Sequence, residues 1–338
     1  MWSGKKRMRT MKHLANNLAD YLDGVQTVAI AGHQNPDGDC IGSCMGTYLY
    51  LKANFPQIQT DVYLESWRAT FAFIEDLDKA QENCDPARIY DLLILLDISS
   101  RDRIGVAGVY VDTAKQVLVF DHHVTNDGEY TWKWNDPDAS SASEVVCRFM
   151  EMDKITKSCA EALYTGIVHD TGVFQYSCTS PATMRMAAAL MEKGLDHSRI
   201  IDESYYQKSW AQNRILGVAL EKSRLHLDGR CISAVITQKE MKELGLTKKD
   251  MDGIVSQLRN TIGVEVSIFL YQGDKGGYKI SLRSKDKVDV AAICQSFGGG
   301  GHKKAAGAFS FHSEEGILNR ILEQVEVQLR EQSEPACT

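Results

Sequence analysis

Residues 26–43 read QTVAIAGHQNPDGDCIGS, and this stretch sets the fold. Its first six residues are an apolar run of strand length, a polar loop bent by Pro36 and Gly38 follows, and over 41–53 apolar residues recur at helical spacing. The reading is strand, loop, helix. It recurs down the chain, with strands predicted at 91–96 and 116–120 and helices at 142–152 and 159–168. Short apolar strands alternating with helices predict an α/β domain whose mostly parallel sheet carries helices on both faces. Ligands of such sheets gather at the carboxyl ends of the strands, so the polar residues there are the first candidates for function.

Those ends are rich in one chemistry. His33, Asp37 and Asp39 follow the first strand, Asp97 follows LLILL at 92–96, Asp121, His122 and His123 follow the third strand, and Asp170 sits in HDTG at the end of a helix. Imidazoles and carboxylates converging in this way suit hard or borderline divalent cations. Their number exceeds what one ion needs, whereas two ions sharing a carboxylate use six or seven ligands. A two-metal centre activates a nucleophile and neutralises a phosphoryl group, so the reaction class read from the residues is phosphoester hydrolysis.

The motifs NPDGDCIGS, LLDISS, DHH and HDTGVF, in this order, resemble the four motifs of the DHH phosphoesterase superfamily over residues 26 to about 190. The resemblance implies that His33 and Asp37 hold one metal, that Asp39, His122 and Asp170 hold the other, and that Asp97 bridges them. It further implies that Asp121 orients His122 and that His123 serves the scissile phosphate or its leaving oxygen. Manganese is the usual ion of that family, and cobalt or magnesium also suits the ligands. His169, before Asp170, is larger than the residue expected there, and its role is open. Cys40 and Cys44, four apart on one helical face, read as packed thiols.

Further on, FGGGGHKKAAG at 297–307 is the most distinctive segment. Glycines 298–301 free the backbone to form an anion-binding nest, with Gly299, Gly300 and Gly301 beside the basic His302, Lys303 and Lys304. Ala305 and Ala306 favour helix. The run resembles the GGGGH signature of the DHHA1 domain, and Ser281, Arg283 and Ser284 match that domain's SLRS segment, so the resemblance makes these the substrate-binding residues. Strands are predicted at 231–237, 264–272, 278–284 and 308–311, helices at 248–260 and 290–297, and a hairpin turn at 273–277.

The expected organisation is a catalytic DHH domain over 1–193, a helical connector over 194–213, a smaller α/β DHHA1 domain over 214–330 and a tail over 331–338, with the active site in the cleft between the domains. At 338 residues, two domains are expected from length alone. Nine cysteines without framework spacing read as free thiols, and the basic N-terminus lacks the apolar run of a signal peptide, so the expected location is the cytoplasm. The longest apolar run, 92–96, is far below the roughly 18 residues of a membrane span. A net charge of −7 argues against long duplex nucleic acid as a partner. Within the superfamily the chain resembles the compact stand-alone branch, which implies hydrolysis of oligoribonucleotides of about two to five units and of the 3′-phosphate of 3′-phosphoadenosine 5′-phosphate. The alternative is a cyclic or linear dinucleotide phosphodiesterase. Homodimer formation is left open.

Overall fold

The run at 26–31 becomes strand β1 (Thr27–Ala31) in the computed structural model, which describes residues 17–126 and 128–331. Helix α1 (Gly38–Asn54) follows, because Asp37 caps it by accepting from the Asp39 and Cys40 amides at 3.1 Å. The same alternation then gives β2 (Gln59–Tyr63), β3 (Leu92–Leu96), β4 (Gln116–Asp121), β5 (Trp132–Asn135), α2 (Ala142–Cys147), α3 (Lys157–Asp170), α4 (Pro181–Met191) and α5 (His197–Ile201). All four strand pairs are parallel, in the order β2-β1-β3-β4-β5. The order reverses between β1 and β3, which leaves a crevice at their carboxyl ends.

Alternate side chains of the central strands enter different cores. Val28, Ile30, Leu92, Ile94, Leu96, Leu118 and Phe120 pack with α1 and α3, while Ala29, Leu93, Leu95 and Val119 pack with Tyr63, Tyr90 and Tyr110. The helical cover of this second face is a short 3₁₀ segment, Val106–Val111. Each fully buried leucine or isoleucine of β3 contributes about 1.5–3 kcal/mol, so the strand that delivers Asp97 is held firmly.

Contacts divide the chain into two units between Gln207 and Lys208. Within the expected connector, α5 runs into a π-helical turn, Asp202–Tyr206, and the second unit opens with α6 (Trp210–Lys222). Then come β6 (Arg224–His226), β7 (Cys231–Ile236), α7 (Gln238–Glu243), α8 (Ile254–Arg259), β8 (Val266–Gln272), β9 (Tyr278–Ser284), α9 (Val290–Gln295), β10 (Gly300–His302), β11 (Ala305–Ser310) and α10 (Glu314–Glu331). The mixed sheet runs β10-β11-β9-β8-β7-β6. Its inner face is covered by α9 and α10, whose Ile317, Ile321, Val325 and Leu329 are buried one turn apart.

Some expectations shift. The predicted helix at 248–260 breaks into a 3₁₀ turn, Lys248–Met251, and α8, because Gly253 adopts a φ of 82°. Ala305 and Ala306 lie in β11, paired with Arg283 and Leu282, and not in a helix. Sheet pairing overrides their local propensity. Glu331, expected in the tail, ends α10; the rest of that tail and the basic N-terminus lie outside the described residues. No helix among the described residues is long and apolar enough to cross a membrane.

Candidate metal centre

Asp97 leaves β3 with a φ of 57° and is 3 % exposed. Its two oxygens face different histidines: Oδ2 lies 3.4 Å from His33 Nε2, and Oδ1 lies 3.6 Å from His122 Nε2. His33 Nδ1 donates to the Gln34 carbonyl at 2.9 Å, which turns Nε2 toward the carboxylates. Asp37 Oδ1 is 3.7 Å from that same Nε2, although its side chain is 58 % exposed. Around His122 Nε2 stand Asp170 Oδ2 at 3.1 Å and Asp39 Oδ2 at 4.0 Å. The six residues proposed from sequence as ligands are therefore brought together in the crevice between β1, β3 and β4.

The surroundings hold these groups in place. Asp39 is fully buried and accepts from the amides of Ala142 at 2.6 Å and Ser143 at 3.0 Å, at the start of α2. Sequence reasoning missed these donors, though Ser141 with Glu144 three residues later is a helix-start signal. Asp121, assigned by resemblance to orient His122, is paired with the next histidine: its Oδ1 is 2.8 Å from His123 Nδ1, and its Oδ2 accepts from Asn126 Nδ2 at 2.7 Å. The two histidine rings stand edge to face with centroids 4.8 Å apart, so the carboxylate at the end of β4 meets the second ring. His169 packs between Phe71 and Tyr205 with Nε2 3.0 Å from Ser204 Oγ, and a Cβ on Gly38 would lie 2.1 Å from its Cγ.

Charge is strongly perturbed here. Burial, with the charges of Asp97 and Asp170, raises the Asp39 carboxyl well above the usual range, and burial raises Asp170 to about 6 against the pull of His122. Burial would raise Asp97 too, but the His122 and His33 rings beside it outweigh that and hold Asp97 well below that range. Among the described residues the ion-pair partners of Asp39, Asp97 and Asp170 are histidines. Asp97 Oδ1 is buried without a hydrogen-bond partner. A crowd of buried carboxylates and imidazoles with an orphaned oxygen at its middle fits divalent cations.

In the second unit Ser281 and Arg283 lie on the outer face of β9, together with Lys279, whose Nζ lies over Gly307. Ser284, grouped with them by sequence, faces inward: it is 1 % exposed and donates to the Val288 carbonyl at 2.7 Å. Period-two alternation along a strand forces this. The glycine run is less of a nest than expected. The Gly298 and Gly299 amides bond the Gln295 and Cys294 carbonyls at 2.9 Å, closing α9, while Gly300, Gly301 and His302 form β10. Gly301, His302 and Lys303 are exposed.

The DHH family N-terminal domain model matches residues 27–167, and the DHHA1 domain model matches residues 228–331. The bifunctional oligoribonuclease and PAP phosphatase NrnA of Thermus thermophilus is 31% identical over 296 residues, covering 86% of each chain. The protein of the same name from Bacillus subtilis is 26% identical, covering 90% of this chain and 95% of its own. An exopolyphosphatase-related protein from Bacteroides fragilis shares the fold with a TM-score of 0.85 at 23% identity, over 94% of this chain and 96% of the other. With both domain models in sequence and a relative of this identity spanning most of both chains, the chain belongs to the DHH family of phosphoesterases and carries a DHHA1 domain.

Proposed function

We propose that the chain hydrolyses short oligoribonucleotides to mononucleotides and removes the 3′-phosphate of 3′-phosphoadenosine 5′-phosphate. The observation that carries the chemistry is Asp97, one buried carboxylate whose two oxygens face two separate groups of ligands. In this reading His33 and Asp37 hold one divalent cation, Asp39, His122 and Asp170 hold the second, and Asp97 bridges them. When bound, such a pair activates water at neutral pH and offsets phosphoryl charge. The names and coverage of the relatives support the choice of substrate.

The protein's own groups do the rest. Asp121 accepts the Nδ1 proton of His123 and fixes its tautomer, so Nε2 is the atom that meets substrate. Burial lowers the His123 pKa, but the bond to Asp121 and the charge of Asp97 outweigh it and raise the value. His123 thus holds a proton at Nε2 for a phosphate or leaving oxygen. Arg283, Ser281, His302 and Lys303 bind the substrate's anionic end beside the open Gly300 backbone, whereas Gly299 and Gly301 lack a Cβ because β11 packs against them.

The test is a panel of a diribonucleotide, 3′-phosphoadenosine 5′-phosphate and cyclic di-AMP, each with Mn²⁺ and with chelator. The first two should turn over only with metal. Turnover confined to the cyclic dinucleotide would replace this substrate assignment, and turnover of the diribonucleotide in chelator would remove the metal centre from the mechanism.

A further inference from the structure

Cys40 reads in the sequence as a packed thiol, and Cys44, one turn on, is one, buried in the core beneath α1. Cys40 belongs to the same core, but its sulfur also meets polar groups. It is fully buried in the first turn of α1, and its Sγ lies with a His33 ring nitrogen and an Asp97 carboxylate oxygen, all within 4.8 Å of one another. The three come from the loop after β1, the first turn of α1 and the end of β3. Gly32 makes the room: a Cβ there would lie 2.1 Å from the thiol sulfur. The carboxylate assigned to this position is less committed. Asp37 is largely exposed, and its Oδ1 already accepts from the Asp39 and Cys40 amides. Asp97 is the buried carboxylate common to both positions: its Oδ2 faces His33 on the Cys40 side, while its Oδ1, which lacks a hydrogen bond, faces His122.

We propose that the Cys40 thiolate is a ligand of the cation beside His33, giving that position an imidazole, carboxylate and sulfur donor set. On binding, the S–H proton leaves to solvent as the sulfur–metal bond forms. A sulfur donor selects borderline ions such as Co²⁺ and Zn²⁺ over Mg²⁺ and Mn²⁺, which prefer oxygen. The two positions of the centre then differ in kind, because the His122 side has only imidazole and carboxylate donors. The inference rests on the metal-centre reading above, and the experiment separates the two.

The full-length metal-free protein is titrated with Co²⁺ and followed by near-ultraviolet and visible absorption alongside metal analysis. A sulfur-to-cobalt charge-transfer band should grow with Co²⁺ uptake, persist in Cys44→Ser, and be lost in both Cys40→Ser and Cys40→Ala. The Cys40 variants should also lose the preference for Co²⁺ over Mn²⁺ in competition. Co²⁺ uptake without the charge-transfer band would overturn the thiolate ligand and leave the metal centre standing. A band that survives in Cys40→Ala would equally overturn it. Failure to take up Co²⁺ or Mn²⁺ would overturn both readings.

Discussion

At Asp97 a non-glycine residue is held in the left-handed region, which costs about 1 kcal/mol, in order to aim a carboxylate where two histidines meet. Asparagine tolerates the same backbone, so Asp97→Asn isolates the charge from the conformation. The variant should fold but melt below the parent protein when metal-free at pH 7, because the contribution of the depressed carboxyl is lost, and it should retain neither cation and show no turnover. Two ions by metal analysis with full activity would remove Asp97 as the bridge. His123→Ala should behave differently, keeping both ions while the rate falls by about 10²–10⁴-fold, the ordinary share of a general acid. Metal loss as deep as in His122→Ala would make His123 a ligand instead. His169 belongs to packing in this picture. Gly38→Ala should destabilise by about 1–3 kcal/mol through the clash with its ring, and His169→Ala in the same chain should restore part of that in a thermal melt. Five of the six candidate ligands were legible in sequence because they follow apolar strands, and Asp170 because it closes an apolar helix. The partner of Asp121 was not, since adjacent histidines differ only in ring direction, which no spacing encodes.

Elements are tied together near the centre by Glu144, which is 1 % exposed, accepts from Ser140 at 2.6 Å and from Thr183 of α4 at 2.8 Å, and pairs with Arg148 at 2.5 Å. Burial raises its pKa, but these hydrogen bonds outweigh it and the value is lowered. A depressed carboxyl stabilises the fold above its unfolded pKa of about 4.5, and the contribution disappears as pH falls through the lower folded value. Glu144→Gln should therefore cost about 2 kcal/mol at pH 7, and the gap to the parent protein should close on acidification below about 4.5. A gap that stayed constant from pH 7 to 3 would mean shape, not charge, is what matters. The strands β1, β3 and β4 were readable to within a residue because both their faces are buried and their sequences are continuously apolar. The edge strands β2 (QTDVY) and β5 (WKWN) escaped because one side of each lacks a neighbour and polar residues interrupt the run. Helix α10 escaped despite a regular four-residue apolar spacing, which its many Glu and Gln residues obscure.

Across the whole molecule, the hydrolytic groups lie in one unit and the basic outer face of β9 in the other, on a chain of net charge −7. Metal-centred chemistry of this kind does not itself distinguish one phosphodiester from another, so under the proposed function substrate choice falls to what the second unit can grip. Lys279 and Arg283 on β9, with His302 at the end of β10 and Lys303 just past it, offer charge for one or two phosphates. Affinity for a long strand grows with the number of phosphates neutralised, and neither this patch nor the overall charge supplies that number. A dinucleotide or pentanucleotide should be cleaved far faster than a strand of about 24 units at equal concentration and salt. Arg283→Ala should raise KM for the pentanucleotide about tenfold, the loss of one charge-assisted bond, and do so less for a small phosphodiester with a single phosphate. Its effect should shrink as salt is raised, because screening weakens the contact in the parent protein as well. Equal rates on short and long strands would refute the size limit. An Arg283→Ala effect confined to kcat, and equal on both substrates, would move that residue from binding into the chemical step.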